Sequence, residues 1–501
     1  MGTGNSVTGS EGPASSSVLR TKSVEGSVAE TEEPEHQLRR ELSALSLTAW
    51  GIGVIVGTGI FVLTGVAAAT RAGPAVSLSF VVAAVACALA ALCYAEFAST
   101  VPVAGSAYTF SYATVGELIA WIIGWDLILE FALGASTVAV GWSGYFTSLL
   151  DDAGITLPTA IAGDDPSVNL PAVAIVLLLT AVLVVGIRAS ARINIVIVCI
   201  KLAIVLFVIV AGISYIKTSN WDPFVPPAGK PEAGSGADTT PLIQTLLGQK
   251  TSTFGVGGIF TGAALVFFAF IGFDIVATAA EETRNPQRDM PIGILGSLGI
   301  CTVLYVLVSL VVTGMVSYTK LDVDAPLAFA FKENGLSWAS TLISIGALAG
   351  LTTVMMVLMY GQSRVAFAMS RDRLLPPGLS RVHNTFRTPY RITVLVGILV
   401  AALAGFVSLD TLADLTNIGT LFAFMLVSIA VVILRRSRPD LPRSFRVPGM
   451  PVTPALAVLA SLYLMLNLVE ATWIRFGVWM AVGFVFYFLY GIRKSRLAPG
   501  N

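Results

Sequence analysis

Residues 51–61 read GIGVIVGTGIF, and this stretch decides the fold. It lies inside an apolar segment, about 47–69, that is long enough to cross a bilayer at about 1.5 Å per helical residue. Glycine is nevertheless unfavourable in a helix interior, by roughly 1 kcal/mol relative to alanine, and this stretch contains four glycines. Two interpretations fit. The glycines let helices pack closely, or the helix is broken near 57–59 and its free backbone groups face a ligand.

A second apolar segment favours the broken helix. Residues 257–280 read GGIFTGAALVFFAFIGFDIVATAA, with Gly272 in the interior and Asp274 two residues later. The two interruptions lie about 210 residues apart, as expected if a five-helix unit occurs twice and each copy begins with a broken helix. We therefore predict irregular backbone at about 56–59 and 269–272, facing one cavity.

The composition indicates an all-α, polytopic membrane protein, because 55% of the residues are hydrophobic and only 12% are charged. The apolar segments predict twelve transmembrane helices, at roughly 47–69, 76–98, 117–149, 171–187, 191–216, 257–280, 291–316, 338–369, 389–408, 411–434, 451–470 and 473–492. With the N-terminus in the cytoplasm, 21 basic residues fall inside and seven outside. This asymmetry predicts that both termini are cytoplasmic.

The sequence carries no sign of an enzyme. It contains no phosphate-binding loop, metal-ligand spacing or nucleophile motif, and its four cysteines all fall inside predicted spans. We predict no catalytic residues, cofactor, metal site or nucleic-acid partner.

Ionisable residues inside the spans are functional candidates, because burying a charge in a bilayer costs several kcal/mol. Lys201 lies about ten residues from either end of its span, too deep for its side chain to reach water. Desolvation disfavours an ammonium group, so Lys201 could exchange protons. Asp126 and Glu130 lie on one helical face. Glu130 and Asp274 could line a substrate pocket or pair for structural reasons, and both interpretations stay open.

Several of these motifs occur together in one known family. The motifs GIGVIVGTGIFVLTG, GWDLILEF, FFAFIGFDIVATAAEETRNPQRDMP and AFAMSRDRLLPP, together with Lys201, resemble the amino acid–polyamine–organocation superfamily, in particular bacterial relatives of the cationic amino acid transporters. The resemblance covers about 45–492. It implies the leucine-transporter fold of two inverted five-helix repeats with broken helices 1 and 6.

The resemblance also assigns roles to residues. It implies that backbone groups of Ile55, Gly57, Thr58 and Gly59 bind the substrate carboxylate, and that the carbonyls of Phe268, Ala269 and Ile271 bind its α-amino group. Phe268 would also close the pocket from outside, and Glu130 and Asp274 match acidic positions of the cationic branch. Lys201 would replace a sodium ion and control proton coupling beside Thr352 and Thr353. Met355 or Met356 would narrow the pocket and favour small neutral side chains over arginine.

The expected organisation has six parts. They are a disordered cytoplasmic tail (1–45), a first repeat (46–216), an extracellular connection (217–256), a second repeat (257–434), two further helices (435–492) and a cytoplasmic tail (493–501).

We predict a plasma-membrane transporter that imports L-amino acids, cationic or small neutral, by alternating access and proton symport. The alternatives are an amino acid or polyamine exchanger and a membrane receptor that binds without transport. The partners would be the amino acid, protons and lipid, and a small membrane subunit is compatible with the sequence but not specified by it.

Overall fold

The computed structural model describes residues 42–496, except 101–105, 163–165, 187–190, 230–235, 250, 278–279, 281–282 and 387. Most of the predicted N-terminal tail and the last five residues of the predicted C-terminal tail therefore lie outside the described residues.

The described part of the chain is helical and contains no strand, only three isolated bridges. The first half contains α1 Ala44–Ile55, α2 Thr64–Ala67, α3 Val76–Thr100, α4 Ser106–Thr114, α5 Glu117–Asp152, α6 Leu170–Val185 and α7 Ala191–Gly212. The second half contains α8 Leu242–Leu246, α9 Gly255–Val266, α10 Phe273–Ala277, α11 Pro286–Met315, α12 Pro326–Glu333, α13 Ser337–Arg371, α14 Tyr390–Phe406, α15 Leu409–Ser437, α16 Val452–Leu466, α17 Glu470–Phe486 and α18 Ile492–Lys494. The predicted all-α class is confirmed.

Eight helical stretches of the described chain are long and apolar enough to cross a membrane. Four shorter apolar helices, α1, α6, α14 and α16, have 10–17 residues each. The stretch Gly59–Thr100 counts as one helical run, because π-helical and 3-10 turns continue the end of the first predicted span directly into α3. The number of twelve spans stays a prediction.

Both predicted interruptions are confirmed. α1 ends at Ile55, the chain bends at 56–57, and helical structure resumes in the π-helical segment Gly59–Leu63. α9 ends at Val266 and continues as the 3-10 turn Phe267–Phe270, and a turn at 271–272 precedes α10.

The longest helices enclose the two breaks. α5 and α13 pack along each other, and α15 packs against α5. On the other side α11 packs against α1 and α3, while α9 packs against α3. The breaks are consequently buried on all sides, so every polar group exposed by the irregular backbone needs a partner from the protein or a ligand.

A buried ion pair fixes one end of the bundle. Glu96, near the end of α3, accepts hydrogen bonds from the Arg435 side chain on α15 and from the Val447 amide (2.7 Å), and Arg443 lies 3.6 Å away. The sequence alone indicates no role for Glu96. The contacts tie α3 to α15 and to the connection that follows α15.

Candidate binding site between the helix breaks

The first break leaves backbone donors unpaired. Within the described residues, the amides of Gly57, Thr58 and Gly59 have no hydrogen-bond acceptor, whereas the Ile60 and Phe61 amides donate to the Gly57 carbonyl at 3.2 and 3.3 Å. The Thr58 hydroxyl is also buried and has no partner among these residues. The start of the helical segment that follows the first break therefore presents a cluster of donors with the partial positive charge of a helix N-terminus.

The other side of the first break faces a cation. The Lys201 ammonium donates a 2.6 Å hydrogen bond to the carbonyl of Gly53, in the last turn of α1. Lys201 is completely buried, and its side chain passes closely over Gly350. A cation at a helix C-terminus is stabilising, so Lys201 compensates the negative C-terminal end of α1.

Among the described residues, Thr352 and Thr353 make no hydrogen bond with the Lys201 ammonium. The Thr352 hydroxyl donates to the Leu348 carbonyl (2.7 Å) and accepts from the Trp142 indole (3.0 Å), and Thr353 donates to the Gly350 carbonyl (2.8 Å). Their hydroxyls are engaged on their own helix because a threonine in a helix readily bonds the carbonyl of the preceding turn. Their predicted role in coupling stays a prediction.

At the second break, an acidic side chain caps α10, the helix that follows the break. Gly272 has φ +124°, a conformation that favours glycine. Its amide donates a 3.0 Å hydrogen bond to Oδ1 of Asp274. The carboxylate thus lies at the N-terminus of α10, where a negative charge is favourable. Asp274 contacts the backbone of its own half-helix here and does not line the cavity described below, so its role in substrate binding stays a prediction.

The two breaks touch through their backbones. A Cβ on Gly59 would lie 2.2 Å from the Cα of Ala269, so no larger residue fits there without displacing one of the two segments. Tyr305 on α11 bridges the same two segments. Its hydroxyl lies 2.7 Å from the Ile55 carbonyl oxygen and 3.0 Å from the Ala269 carbonyl oxygen. Nothing in the sequence marks Tyr305, because one tyrosine in an apolar helix carries no signal of its partners.

A small cavity lies between the breaks, with a volume of about 20 Å³, room for about one water molecule. Seven predicted site residues line it, namely Ile55, Gly57, Thr58, Gly59, Glu130, Phe268 and Ile271. Five residues that were not predicted complete the wall, namely Val54, Gly134, Val138, Val354 and Leu358.

The two predicted methionines do not line this cavity. Met355 is completely buried and Met356 is half-buried, and the cavity wall from α13 is formed by Val354 and Leu358 instead. These two are four positions apart and share a helical face, whereas Met355 and Met356 point to other faces. Ala269 also lies outside the wall, and its carbonyl bonds Tyr305.

Two acidic side chains on α5 are buried without compensation. Neither carboxylate oxygen of Glu130 or Asp126 has a hydrogen-bond partner among the described residues. Thr420 lies close to Glu130, but its hydroxyl donates to the Thr416 carbonyl at 3.0 Å. Asp126 packs against Gly419, whose added Cβ would lie 2.9 Å from Oδ1 of Asp126. The described residues contain no group of three side chains suited to hold a metal ion.

The site therefore combines two compensated and two uncompensated helix ends. Lys201 neutralises the carbonyl end of α1, and Asp274 neutralises the amide end of α10. The amides at 57–59 and the carbonyls at the end of 268–271 lack a charged partner among the described residues. One uncompensated end is positive and the other is negative.

The chain is similar to known permeases and transporters over nearly its whole length. The sequence model of the family described as amino acid permease matches residues 42–488. The chain is 50% identical over 489 residues to a branched-chain amino acid permease of Bacillus subtilis, covering 96% of this chain and 99% of the relative. It is 48% identical over 487 residues to the methylthioribose transporter of the same organism, with the same coverage of both chains.

A plant relative is more distant. A vacuolar cationic amino acid transporter of Arabidopsis thaliana is 40% identical over 430 residues, or 85% of this chain and 64% of the relative. All three relatives are named as permeases or transporters and none as an enzyme, as predicted.

Proposed function

Because the chain belongs to the amino acid permease family, a family of multi-pass membrane proteins, we propose that it imports an aliphatic L-amino acid by proton-coupled alternating access. The pairing of uncompensated helix ends at the two breaks carries this proposal. An α-amino acid has a carboxylate and an ammonium group on adjacent atoms, and the site offers one end of matching charge for each.

The proposed pose follows from these charges. The substrate carboxylate accepts hydrogen bonds from the amides at 57–59 and from the Thr58 hydroxyl, all unpaired donors at a helix N-terminus. The ammonium group of the substrate lies at the second break, near the carbonyls of Phe268 and Ile271. These two cavity-lining residues follow the C-terminal end of α9.

The substrate side chain meets an apolar wall. Val138, Val354 and Leu358 line the cavity beside Gly134, whose missing side chain leaves space between α5 and α13. Such a wall favours valine, leucine or isoleucine over a charged side chain, because burying an unpaired charge is costly. The 50% identity to a branched-chain amino acid permease supports the same choice.

A cationic substrate is the second candidate. Glu130 lines the same cavity and has no partner among the described residues, so it could accept a lysine or arginine side chain. The similarity to a plant cationic amino acid transporter agrees with this reading. Alternatively, the Glu130 carboxylate takes part in proton coupling rather than in recognition of the substrate.

Lys201 is the proposed coupling residue. Its ammonium bonds the Gly53 carbonyl of α1, and in an alternating-access cycle the broken helix moves relative to α7. The stability of the charged form would then differ between outward and inward states, which allows a proton to drive the cycle. Proton symport predicts accumulation driven by a pH gradient alone.

The remaining organisation is part of the same proposal. It comprises twelve spans, two inverted repeats at 46–216 and 257–434 joined by an extracellular connection at 217–256, cytoplasmic termini and location in the plasma membrane. A small membrane subunit is compatible with it.

Transport by the full-length protein in proteoliposomes tests the proposal. Labelled valine, leucine, alanine, lysine, arginine and methylthioribose are each offered with and without an inward proton gradient, at clamped membrane potential. We expect valine and leucine to accumulate only with the gradient. Exchange that needs internal amino acid would indicate an exchanger, and binding without uptake would indicate a receptor. Preferred uptake of lysine or of methylthioribose would refute the aliphatic assignment.

A further inference from the structure

Tyr305 occupies an unusual position between the two broken helices. Its hydroxyl is within hydrogen-bond distance of the Ile55 carbonyl (2.7 Å) and the Ala269 carbonyl (3.0 Å). Its ring is completely buried and packs between Phe80 and Phe270, with ring centroids 5.5 and 5.3 Å away. The aromatic contacts fix the ring, and the hydroxyl reaches the backbone of both breaks.

The two acceptors repel each other. The Ile55 carbonyl is at the C-terminal end of α1. The Ala269 carbonyl is in the 3-10 turn that follows α9, which is the half of the second broken helix before the break. Both ends carry partial negative charge, and a phenol has only one hydrogen to donate. Tyr305 thus holds together two groups that would otherwise separate, and it cannot satisfy both completely.

Tyr305 acts from behind the cavity wall. It does not line the cavity itself, but Ile55 lines it, and Ala269 lies directly next to the lining residue Phe268. Fixing the carbonyls of Ile55 and Ala269 therefore fixes the orientation of the segment that presents the Phe268 and Ile271 carbonyls.

We infer that Tyr305 is a positioning residue for recognition of the substrate's α-amino group. This inference rests on the proposed function, because it requires an amino acid between the breaks. The Tyr305 hydroxyl sets the distance between the carbonyl end of α1 and that of the outer half of the second broken helix. The ammonium group of the substrate then supplies the positive charge that one phenol hydrogen does not.

A purely structural role for Tyr305 makes a different prediction. If the hydroxyl only stabilises the fold, its removal weakens all ligands alike. If it positions the ammonium-binding carbonyls, its removal weakens leucine but not 4-methylpentanoate, which has the same carbon skeleton and carboxylate and no amino group. The ratio of the two affinities separates the two roles.

The test uses purified full-length Tyr305→Phe, which keeps the buried ring and removes only the hydroxyl. Tyr145→Phe is the matched control, because Tyr145 is equally buried and its hydroxyl donates a 2.7 Å hydrogen bond to the Phe61 carbonyl, which belongs to the segment after the first break and not to the two carbonyl ends that Tyr305 bridges. Dissociation constants for leucine and 4-methylpentanoate are measured for both variants and for the wild type. We expect about three- to tenfold weaker leucine binding in Tyr305→Phe, unchanged binding of 4-methylpentanoate, and an unchanged ratio in Tyr145→Phe.

Three results would overturn the inference. They are equal weakening of both ligands in Tyr305→Phe, no change for either ligand, and failure of Tyr305→Phe to fold, which would show that the hydroxyl holds the fold itself. If the wild type binds no amino acid, the proposed function fails first, and the two failures are thereby distinguished.

Discussion

The two helix breaks solve the same electrostatic problem with opposite charges. At the first break Lys201 binds a carbonyl in the last turn of α1, and the amides that follow have no acceptor in the described part of the chain. At the second break Asp274 binds the Gly272 amide at the start of α10. At each break a protein side chain thus neutralises one half-helix, and the other half-helix has no charged partner among the described residues.

This asymmetry indicates where the charged groups of the ligand bind. A break neutralised on both sides would be stable and would bind nothing, and one neutralised on neither side would be costly to bury. Compensating one half of each break with charges of opposite sign leaves a positive and a negative end beside each other. Changes at individual residues test this comparison.

We expect the largest effect from Gly59→Ala. Its Cβ would lie 2.2 Å from the Cα of Ala269, so the two breaks must separate, at a cost of about 1–3 kcal/mol or more. Transport should be abolished and the thermal midpoint lowered. Gly57→Ala is the matched control for stability, because the nearest contact of its added Cβ is 3.4 Å from the Val354 side chain, and its thermal midpoint should stay near that of the wild type. Equal thermal midpoints of the two variants would contradict direct packing of the breaks.

The second-largest effect is expected from removing the Lys201 ammonium at the first break. Lys201→Ala should abolish accumulation driven by a pH gradient, because no ammonium remains to bond the Gly53 carbonyl. Lys201→Arg should fail as well, because a guanidinium does not release its proton at physiological pH. Arg364→Ala is the control, since Arg364 is an exposed cation on α13. Uptake against a gradient by either Lys201 variant would remove Lys201 from the coupling mechanism.

Substitutions in the apolar wall should change selectivity by about tenfold. Leu358→Ala enlarges the cavity and should admit larger side chains, whereas Gly134→Ala reduces it, since its Cβ would lie 3.5 Å from Leu358. Met356→Ser, outside the wall, should leave the ratio of phenylalanine to valine uptake unchanged. A shift with Met356→Ser and none with Leu358→Ala would restore the methionine prediction.

The smallest effect is expected at the anion of the second break. Asp274→Asn keeps an oxygen acceptor for the Gly272 amide, so leucine transport should stay near that of the wild type. Asp274→Ala removes the cap and should lower the free energy of unfolding by about 1 kcal/mol. Thermal unfolding of both variants gives the comparison. A large loss of leucine transport in Asp274→Asn alone would mean that the negative charge itself takes part in transport.

The sequence predicted the breaks because their causes are local. Glycines in an apolar span and ionisable residues far from its ends are visible without knowledge of packing, so 56–59, 269–272 and Lys201 were found. The sequence does not reveal the bridge through Tyr305, because the hydrogen-bond acceptors of its hydroxyl are backbone carbonyls 250 and 36 residues away. The choice of Val354 and Leu358 over the methionines depends on how α13 is rotated against α5, and only the packed structure sets that rotation.

The size of the cavity has a kinetic consequence. A volume of about 20 Å³ holds about one water molecule, so an amino acid enters only when the breaks and the surrounding helices move apart. The apparent affinity is then the intrinsic affinity reduced by the fraction of molecules that are open. Association should be far slower than the diffusion limit, because the protein must first open, and its rate should rise steeply with temperature. Substitutions that loosen the bundle would then accelerate binding without touching the substrate.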